Sequence, residues 1–102
     1  MADKILTVGI PAYKAENHIC DALSSIQIQT VKDNISIIIA SDNPSDNYKF
    51  VEKRYPDLDI TILSCDKNTG SGLVRQRALD ACKTDWITFI GEEGYVHTVN
   101  EK

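Results

Sequence analysis

Runs of apolar residues alternate along the chain with segments in which apolar residues recur every three or four positions. The runs are typical of β-strands, and the nearly continuous run at residues 35–40 predicts a strand buried on both faces of a parallel sheet. The recurring spacing predicts amphipathic helices between the strands. Strands are therefore predicted at residues 5–10, 35–40, 58–63 and 86–90, and helices at residues 15–29, 48–55 and 73–82.

The order of these elements, β-α-β-α-β-α-β, predicts an α/β fold. Strands that alternate with helices form an open, mostly parallel sheet with flanking helices and right-handed crossovers. Two of the helices have an apolar face that is expected to pack on the sheet. In the first helix this face consists of Ile19, Ala22, Leu23, Ile26 and Thr30, and in the third of Leu73, Val74, Ala78, Leu79 and Cys82.

Length and composition fit one small globular domain. The 102 residues are predicted to form a single domain over residues 1–102, and a content of 42% hydrophobic and 25% charged residues is ordinary for a soluble protein. The tail at residues 95–102 is polar and lacks a periodic pattern. It is therefore expected to be disordered or to continue in a longer relative.

The charge balance and the cysteine positions disfavour several classes of function. The net charge of −4 argues against non-specific binding of nucleic acid, which usually needs a basic surface. No apolar run approaches the about 20 residues of a membrane helix, and the N-terminus lacks the apolar core of a signal peptide, so a cytoplasmic location is expected. Cys20, Cys65 and Cys82 form no C-x-x-C pair, which disfavours a zinc site, and they are expected to be small core residues.

The loop after the first strand, Pro11-Ala12-Tyr13-Lys14, places an aromatic ring where open α/β sheets bind ligands. A tyrosine at a strand end can stack on a nucleotide base, a contact that contributes about 1–3 kcal/mol per base in single-stranded nucleic-acid sites. A lone tyrosine more often packs over the end of a helix. The ring alone does not decide between these interpretations.

The loop after the second strand contains two aspartates with different expected roles. Asp42 comes directly after the strand, where a carboxylate can accept a hydrogen bond from a base N–H or a ribose hydroxyl. A turn or a helix cap is the alternative for this residue. Asp46 lies just before the second helix, and a capping role is the favoured interpretation there.

The third loop, residues 68–72, contains two glycines and leads into the helix that carries Arg75. Glycine lets backbone N–H groups approach a phosphate, and the N-terminus of a helix favours an anion. Arg75, one turn later, could add a charge-assisted contact. The segment is neither G-x-G-x-x-G nor a Walker loop, so a plain loop before a well-capped helix is an equally good interpretation for Gly70.

The fourth strand runs into two adjacent acids, Glu92 and Glu93, flanked by glycines. Paired carboxylates on a short turn suit a divalent cation, which in turn suits a phosphate. An exposed acidic turn is the alternative. Together the four loops fit one nucleotide-diphosphate pocket, in which the aromatic ring and Asp42 hold the base while Arg75 and a metal hold the diphosphate.

Several motifs in this order resemble the family 2 glycosyltransferases with the A-type fold. The resemblance covers nearly the whole chain and is specific, because the motifs occur at the expected spacing. They are Ile10 to Tyr13, Ser24 to Thr30, Ser41 to Asp46, Gly70 to Asp80, and Asp85 to Ile90. The resemblance implies the Rossmann-like, nucleotide-binding half of that fold.

The resemblance also implies a function. Family members transfer a sugar from a nucleotide diphosphate sugar, often a UDP-sugar, to an acceptor hydroxyl. Tyr13 and Asp42 match the base-binding positions, and Arg75 matches a basic position near the diphosphate. Glu93 matches the metal-binding second acid of the family's Asp-x-Asp motif, and Glu92 its middle position. The resemblance thus implies Mn²⁺ or Mg²⁺ as cofactor, and Pro11 and Gly70 belong to the expected substrate site.

The chain departs from the family pattern at several positions. Lys14 replaces the usual Asn, Ser41 the first of a usual Asp pair, and Gly91 the first Asp of the metal motif. No residue matches the catalytic base that follows the metal motif in complete members. Two hypotheses therefore stay open: a minimal glycosyltransferase, completed by a second copy or a partner chain, or a non-catalytic nucleotide-sugar-binding or interaction module.

Overall fold

The computed structural model describes residues 4–28, 34–68, 70–90 and 96–101. For Ser71 and residues 96–101 the description covers the backbone alone. Five strands and three helices follow one another along the chain. They are β1 (Leu6–Ala12), α1 (Ile19–Gln27), β2 (Ile35–Ser41), α2 (Phe50–Arg54), β3 (Asp59–Leu63), α3 (Ser71–Ala81), β4 (Trp86–Ile90) and β5 (Val96–Glu101).

The strands form one sheet in the order β3-β2-β1-β4-β5. Strands β1 to β4 are parallel, as predicted, and β5 runs antiparallel beside β4. The predicted α/β fold with an open, mostly parallel sheet is confirmed. The chain winds outward from β1 to β3 and then returns through α3 to β4 on the other side of β1. Such a reversal of strand order leaves a crevice at the carboxyl ends of the central strands, where open α/β sheets bind ligands.

Strand β5 lies in the tail, where no strand was predicted. Residues 96–101 pair with β4, with an irregularity between Phe89 and Ile90, although their sequence has no periodic pattern. Pairing supplies hydrogen-bond partners to the side of β4 that faces away from β1. The segment contains the β-branched residues Val96, Thr98 and Val99, a type that is enriched in strands.

One face of the sheet packs on α1 and α2. The apolar face predicted for α1 is buried at Ile19, Ala22, Leu23 and Ile26, where it contacts β1 and β2, and Thr30 lies outside the described residues. The helix begins four residues later than predicted, because residues 15–18 form a turn whose first carbonyl accepts the N–H groups of His18 and Ile19.

The other face of the sheet packs on α3 through Val74, Ala78 and Cys82. The prediction that Leu73 points inward is wrong, since its side chain is 58% exposed. At about 100° per residue, the packed residues Val74, Ala78 and Cys82 span about 80° around the helix axis. Leu73 lies about 100° beyond Val74, outside this face. Leu79 is half-buried. Of the cysteines, Cys82 is buried, whereas Cys20 and Cys65 are only half-buried, so the core prediction holds for one of the three.

Gly9 leaves room for the aromatic ring of Phe89 on the face of the sheet that packs on α3. Gly9 and Phe89 are paired neighbours in the sheet. A Cβ atom on Gly9 would lie 2.8 Å from Cε1 of Phe89, closer than such atoms approach in proteins. The absence of a side chain at residue 9 therefore leaves the space that the Phe89 ring occupies. No helix among the described residues has the length and apolar character needed to cross a membrane.

Candidate functional site

The carboxyl ends of the four parallel strands meet at one edge of the sheet, and α3 begins at the same edge. Tyr13 and Asp42 follow the ends of β1 and β2, and Gly70 directly precedes α3. Pro11 lies within β1, half-buried, and pairs with Ala40 of β2. The predicted residues from the first three loops therefore lie at or next to this edge.

Asp42 connects three of the segments that form this edge. Its side chain is buried, with 7% exposed. Its backbone N–H donates to the carbonyl oxygen of Ala12 at the end of β1 (2.8 Å), and its Oδ2 accepts the N–H of Gly70 (3.0 Å). The carboxylate therefore bonds to the backbone of the residue that directly precedes α3.

Gly70 adopts a backbone conformation that other residues avoid. Its dihedral angles are φ 89° and ψ 158°, close to a region that is essentially restricted to glycine. This conformation accompanies the hydrogen bond to Asp42. The Gly70 amide, which the sequence suggested for a phosphate, thus donates to a carboxylate in this structure.

Tyr13 presents its ring to the surface at the end of β1. The side chain is 47% exposed, and the Lys14 ammonium lies 5.3 Å from the ring centroid. An exposed ring agrees better with the stacking interpretation than with burial over a helix end. Lys14 has a positive φ of 52°, a left-handed conformation in which Asn is enriched and Lys is not.

A partly buried hydrogen-bond network joins the loops that follow β1 and β2. Asp46 accepts the N–H of Lys14 (2.6 Å) and the hydroxyl of Tyr48 (2.7 Å) on Oδ2, and the amide of Asn43 (3.0 Å) on Oδ1. The Tyr48 hydroxyl in turn accepts the N–H of Ala15 (3.1 Å). This network fixes the two loops that carry Tyr13 and Asp42.

The structure corrects the predicted role of Asp46 and shows why the Tyr48 hydroxyl stays protonated. Lys49 is the N-cap residue of α2 and makes no side-chain capping bond, so Asp46 is not a helix cap. Instead, its carboxylate accepts a hydrogen bond from the backbone N–H of Lys14, in the loop after β1. Burial raises the pKa of the Tyr48 hydroxyl well above its ordinary value, and the hydrogen bond to the Asp46 carboxylate raises it further. Tyr48 therefore stays protonated and keeps donating to Asp46.

Arg75 extends from α3 across the ring of Phe89. The centre of its guanidinium group lies 5.7 Å from the ring centroid, a distance at which a cation is attracted to the ring face. Its Nε is buried and has no hydrogen-bond partner among the residues the structure describes. Phe89 is the penultimate residue of β4, so Arg75 lies near the end of this strand.

Arg77 links the ends of two strands and was not predicted as a site residue. Its guanidinium donates to the carbonyl oxygen of Ser41 (3.1 Å) and to that of Ser64. Ser41 ends β2, and Ser64 directly follows β3. A basic residue two positions after Arg75 was the only signal in the sequence, and it does not indicate backbone carbonyls as partners.

Glu92 and Glu93, together with Gly91, lie outside the described residues. Strand β4 ends at Ile90, beside β1 and at the carboxyl edge of the sheet. Within residues 4–28, 34–68 and 70–90, no group of three or more His, Cys, Asp or Glu side chains could hold a metal ion. The predicted metal site therefore depends on the two glutamates that follow β4.

A sequence comparison supplies the decisive observation, because the family model described as "Glycosyl transferase family 2" matches residues 7–96. The chain belongs to this family. The family resemblance derived from the motifs is thereby confirmed.

Individual relatives agree with this assignment. The chain is 31% identical, over its full length, to the glycosyltransferase GlyA of Streptococcus pneumoniae, of which it covers 15%. Among solved structures it is similar to residues 1–349 of TarS from S. aureus, with a TM-score of 0.79, 22% identity, and coverage of 89% of this chain and 28% of that chain. The same fragment of TarS has been crystallised with UDP and with UDP-GlcNAc.

Another solved structure has the same fold. The mannosyltransferase PcManGT from Pyrobaculum calidifontis, solved with GDP-Man and Mn²⁺, matches with a TM-score of 0.77 and 18% identity over 91% of this chain and 28% of that chain. The chain spans between about one eighth and slightly more than one third of the length of the curated relatives it matches. At these identities the structural likeness establishes the fold alone.

Proposed function

We propose that this family 2 domain binds a nucleotide diphosphate sugar, most simply a UDP-sugar, at the carboxyl edge of its sheet. The observation that carries the proposal is the Asp42 carboxylate, buried between the end of β1 and Gly70. Asp42 and the exposed Tyr13 each directly follow one member of the Ala12–Ser41 pair that ends β1 and β2. Complexes of TarS with UDP and UDP-GlcNAc, and of PcManGT with GDP-Man, support a nucleotide sugar as the ligand class.

In this proposal the base half of the pocket belongs to Tyr13 and Asp42. The exposed tyrosine ring stacks on the base, and the carboxylate accepts a hydrogen bond from a base N–H or the ribose. Pro11, two residues earlier in β1, belongs to the same half of the pocket. The hydrogen-bonded loops around Asp46 and Tyr48 hold both residues in place before the ligand arrives, which reduces the ordering cost of binding.

The diphosphate half of the pocket belongs to Arg75, the start of α3 and a divalent cation. Glu93 would hold Mn²⁺ or Mg²⁺, with Glu92 beside it, because hard cations prefer carboxylate oxygens. The end of β4 beside β1 fits this assignment, since both acids follow it within three residues. A bound cation would neutralise charge on the departing diphosphate. Arg75, near the end of β4, supplies positive charge to the same group.

The reaction proposed for the pocket is transfer of the sugar to an acceptor hydroxyl. Glu101 and Asp85 are available acids, but no observation assigns either as the base, so a second copy or a partner chain remains our proposal for the acceptor side. A cytoplasmic location likewise remains a prediction. Gly91, in place of the first acid of the metal motif, favours the second hypothesis, a domain that binds the donor without transferring the sugar.

Binding can be tested by NMR titration of the isotope-labelled chain with UDP and GDP, each with and without Mg²⁺. We expect UDP to shift the amide signals of Tyr13, Asp42 and Arg75, and Mg²⁺ to strengthen the effect. Paramagnetic Mn²⁺ should broaden the signals around Glu93. Absence of shifts with either nucleotide would reject the proposal.

Three variants separate the parts of the pocket. Glu93→Ala should abolish the metal-dependent part of UDP binding, and Glu92→Ala should weaken it less; equal metal affinity in both variants and the parent would contradict the metal assignment. Tyr13→Ala should weaken UDP binding with little change in melting temperature. Release of UDP from UDP-GlcNAc, measured alongside, separates an enzyme from a module that only binds.

A further inference from the structure

The guanidinium group of Arg77 donates hydrogen bonds to two backbone carbonyl groups just beyond the point where the pairing of β2 with β3 ends. The pairing between β2 and β3 ends at Ala40 and Leu63. Beyond this point the carbonyl oxygen of Ser41 still points toward the β3 side, and Arg77 donates to it (3.1 Å). A second donor of the same guanidinium reaches the carbonyl oxygen of Ser64.

The peptide group between Ser41 and Asp42 is consequently held from both sides. Its carbonyl oxygen accepts from Arg77, and its N–H donates to Ala12 (2.8 Å). Because a peptide group is planar, two hydrogen bonds on opposite sides fix its orientation. The next atom along the chain is the Cα of Asp42, so the same two bonds fix the position of the atom that carries its side chain.

We propose that Arg77 is a positioning residue for the nucleotide site, an inference that rests on the function proposed above. It orients Asp42 so that the carboxylate meets the N–H of Gly70, and it ties the segment after β3 to the end of β2. Arg77 itself need not touch the ligand. A guanidinium group is suited to this role because its rigid fork of donors can serve two acceptors at once.

The test compares Arg77→Met and Arg77→Lys with the parent chain. Arg77→Met keeps an apolar side chain but removes every donor, whereas Arg77→Lys keeps a cation that can replace one of the two bonds. Arg54→Met is the matched control, because Arg54 is exposed on α2, on the opposite face of the sheet. The measurements are the Kd of UDP in the presence of Mg²⁺ and the hydrogen exchange of the Asp42 and Gly70 amides without ligand.

We expect Arg77→Met to weaken UDP binding about tenfold, which corresponds to about 1.4 kcal/mol. Arg77→Lys should recover part of this loss, and Arg54→Met should bind as the parent does. In the free protein, exchange at Asp42 and Gly70 should accelerate in Arg77→Met and stay unchanged in Arg54→Met. This result would establish the positioning role at the predicted atoms.

Other outcomes overturn the inference. Parent-like affinity and exchange in Arg77→Met, together with a lower melting temperature, would make Arg77 a general stabiliser. If the parent binds no UDP, the proposed function fails, while the exchange data in the free protein still decide whether Arg77 orients Asp42. If Arg77→Met does not fold, Arg77→Lys decides: parent-like affinity and exchange in that variant would reject the role.

Discussion

Replacing either of two glycines at the start of α3 by alanine should change stability in opposite directions. Gly70 has a positive φ of 89°, whereas Gly72 lies in the first turn of the helix. A Cβ atom at either position would meet nothing within 4 Å. Crowding therefore contributes to neither substitution, and the backbone conformation alone sets the sign of each effect.

The expected magnitudes follow from that difference. A non-glycine residue held in a sparsely populated backbone region costs about 1–3 kcal/mol, and the smaller entropy of the unfolded alanine chain returns about 0.4–1 kcal/mol. Gly70→Ala should thus destabilise the fold by about 1–2 kcal/mol. Gly72→Ala should stabilise it by about 0.5–1 kcal/mol, because alanine is the better helix former.

Thermal unfolding followed by circular dichroism measures both effects. For a domain of this size, 1 kcal/mol shifts the melting temperature by about 4–8 °C, so the two variants should lie on opposite sides of the parent. Gly70→Ala should also weaken UDP binding, since relaxation of residue 70 moves its N–H away from Asp42. Changes of the same sign in both variants, or a parent-like Gly70→Ala, would refute the reasoning.

Three further substitutions test other parts of the structure. Lys14→Asn should stabilise the fold in urea unfolding by up to about 1 kcal/mol, since the left-handed conformation costs most residues about 1–2 kcal/mol. An unchanged free energy of unfolding would contradict backbone strain at residue 14. Tyr48→Phe leaves the Ala15 N–H without its acceptor and should cost about 1–3 kcal/mol. It should also weaken UDP binding, whereas Tyr55→Phe, on the far end of α2, should affect stability only. Gly9→Ala should cost about 1–3 kcal/mol through the clash with Phe89, and a second change to Leu at Phe89 should relieve part of it; additive losses would exclude the clash.

The pattern of apolar residues predicted most of the fold because burial leaves a periodic trace in the sequence. The continuous run of residues 35–40 became the strand β2, and the spacing of Ile19, Ala22, Leu23 and Ile26 identified the buried face of α1. Parallel order then placed Tyr13 and Asp42 at one edge of the sheet. These inferences need only local spacing and the general rules of strand connection.

The contacts that the sequence did not reveal are specific hydrogen bonds between distant segments. Asp46 lies where a helix cap is expected, yet its carboxylate accepts hydrogen bonds from Lys14, Asn43 and Tyr48. Arg77 bonds two carbonyl groups that no side-chain pattern marks. Strand β5 was not predicted because its apolar residues, Val96 and Val99, do not alternate with polar ones. Leu73 was assigned inward because its hydrophobicity was considered without its angle around the helix.

The position of β1 in the middle of the sheet has a consequence for the way the protein folds. Leu6 pairs on one side with Ile35 and on the other with Trp86, near the opposite end of the chain. Contacts between residues far apart in the sequence slow folding, because the intervening chain must be ordered first. During synthesis on the ribosome, β1 and β2 can pair early, but one side of β1 stays open until β4 emerges. We therefore expect the nascent domain to be prone to aggregation until that strand is complete, and the binding pocket to form only in this last step.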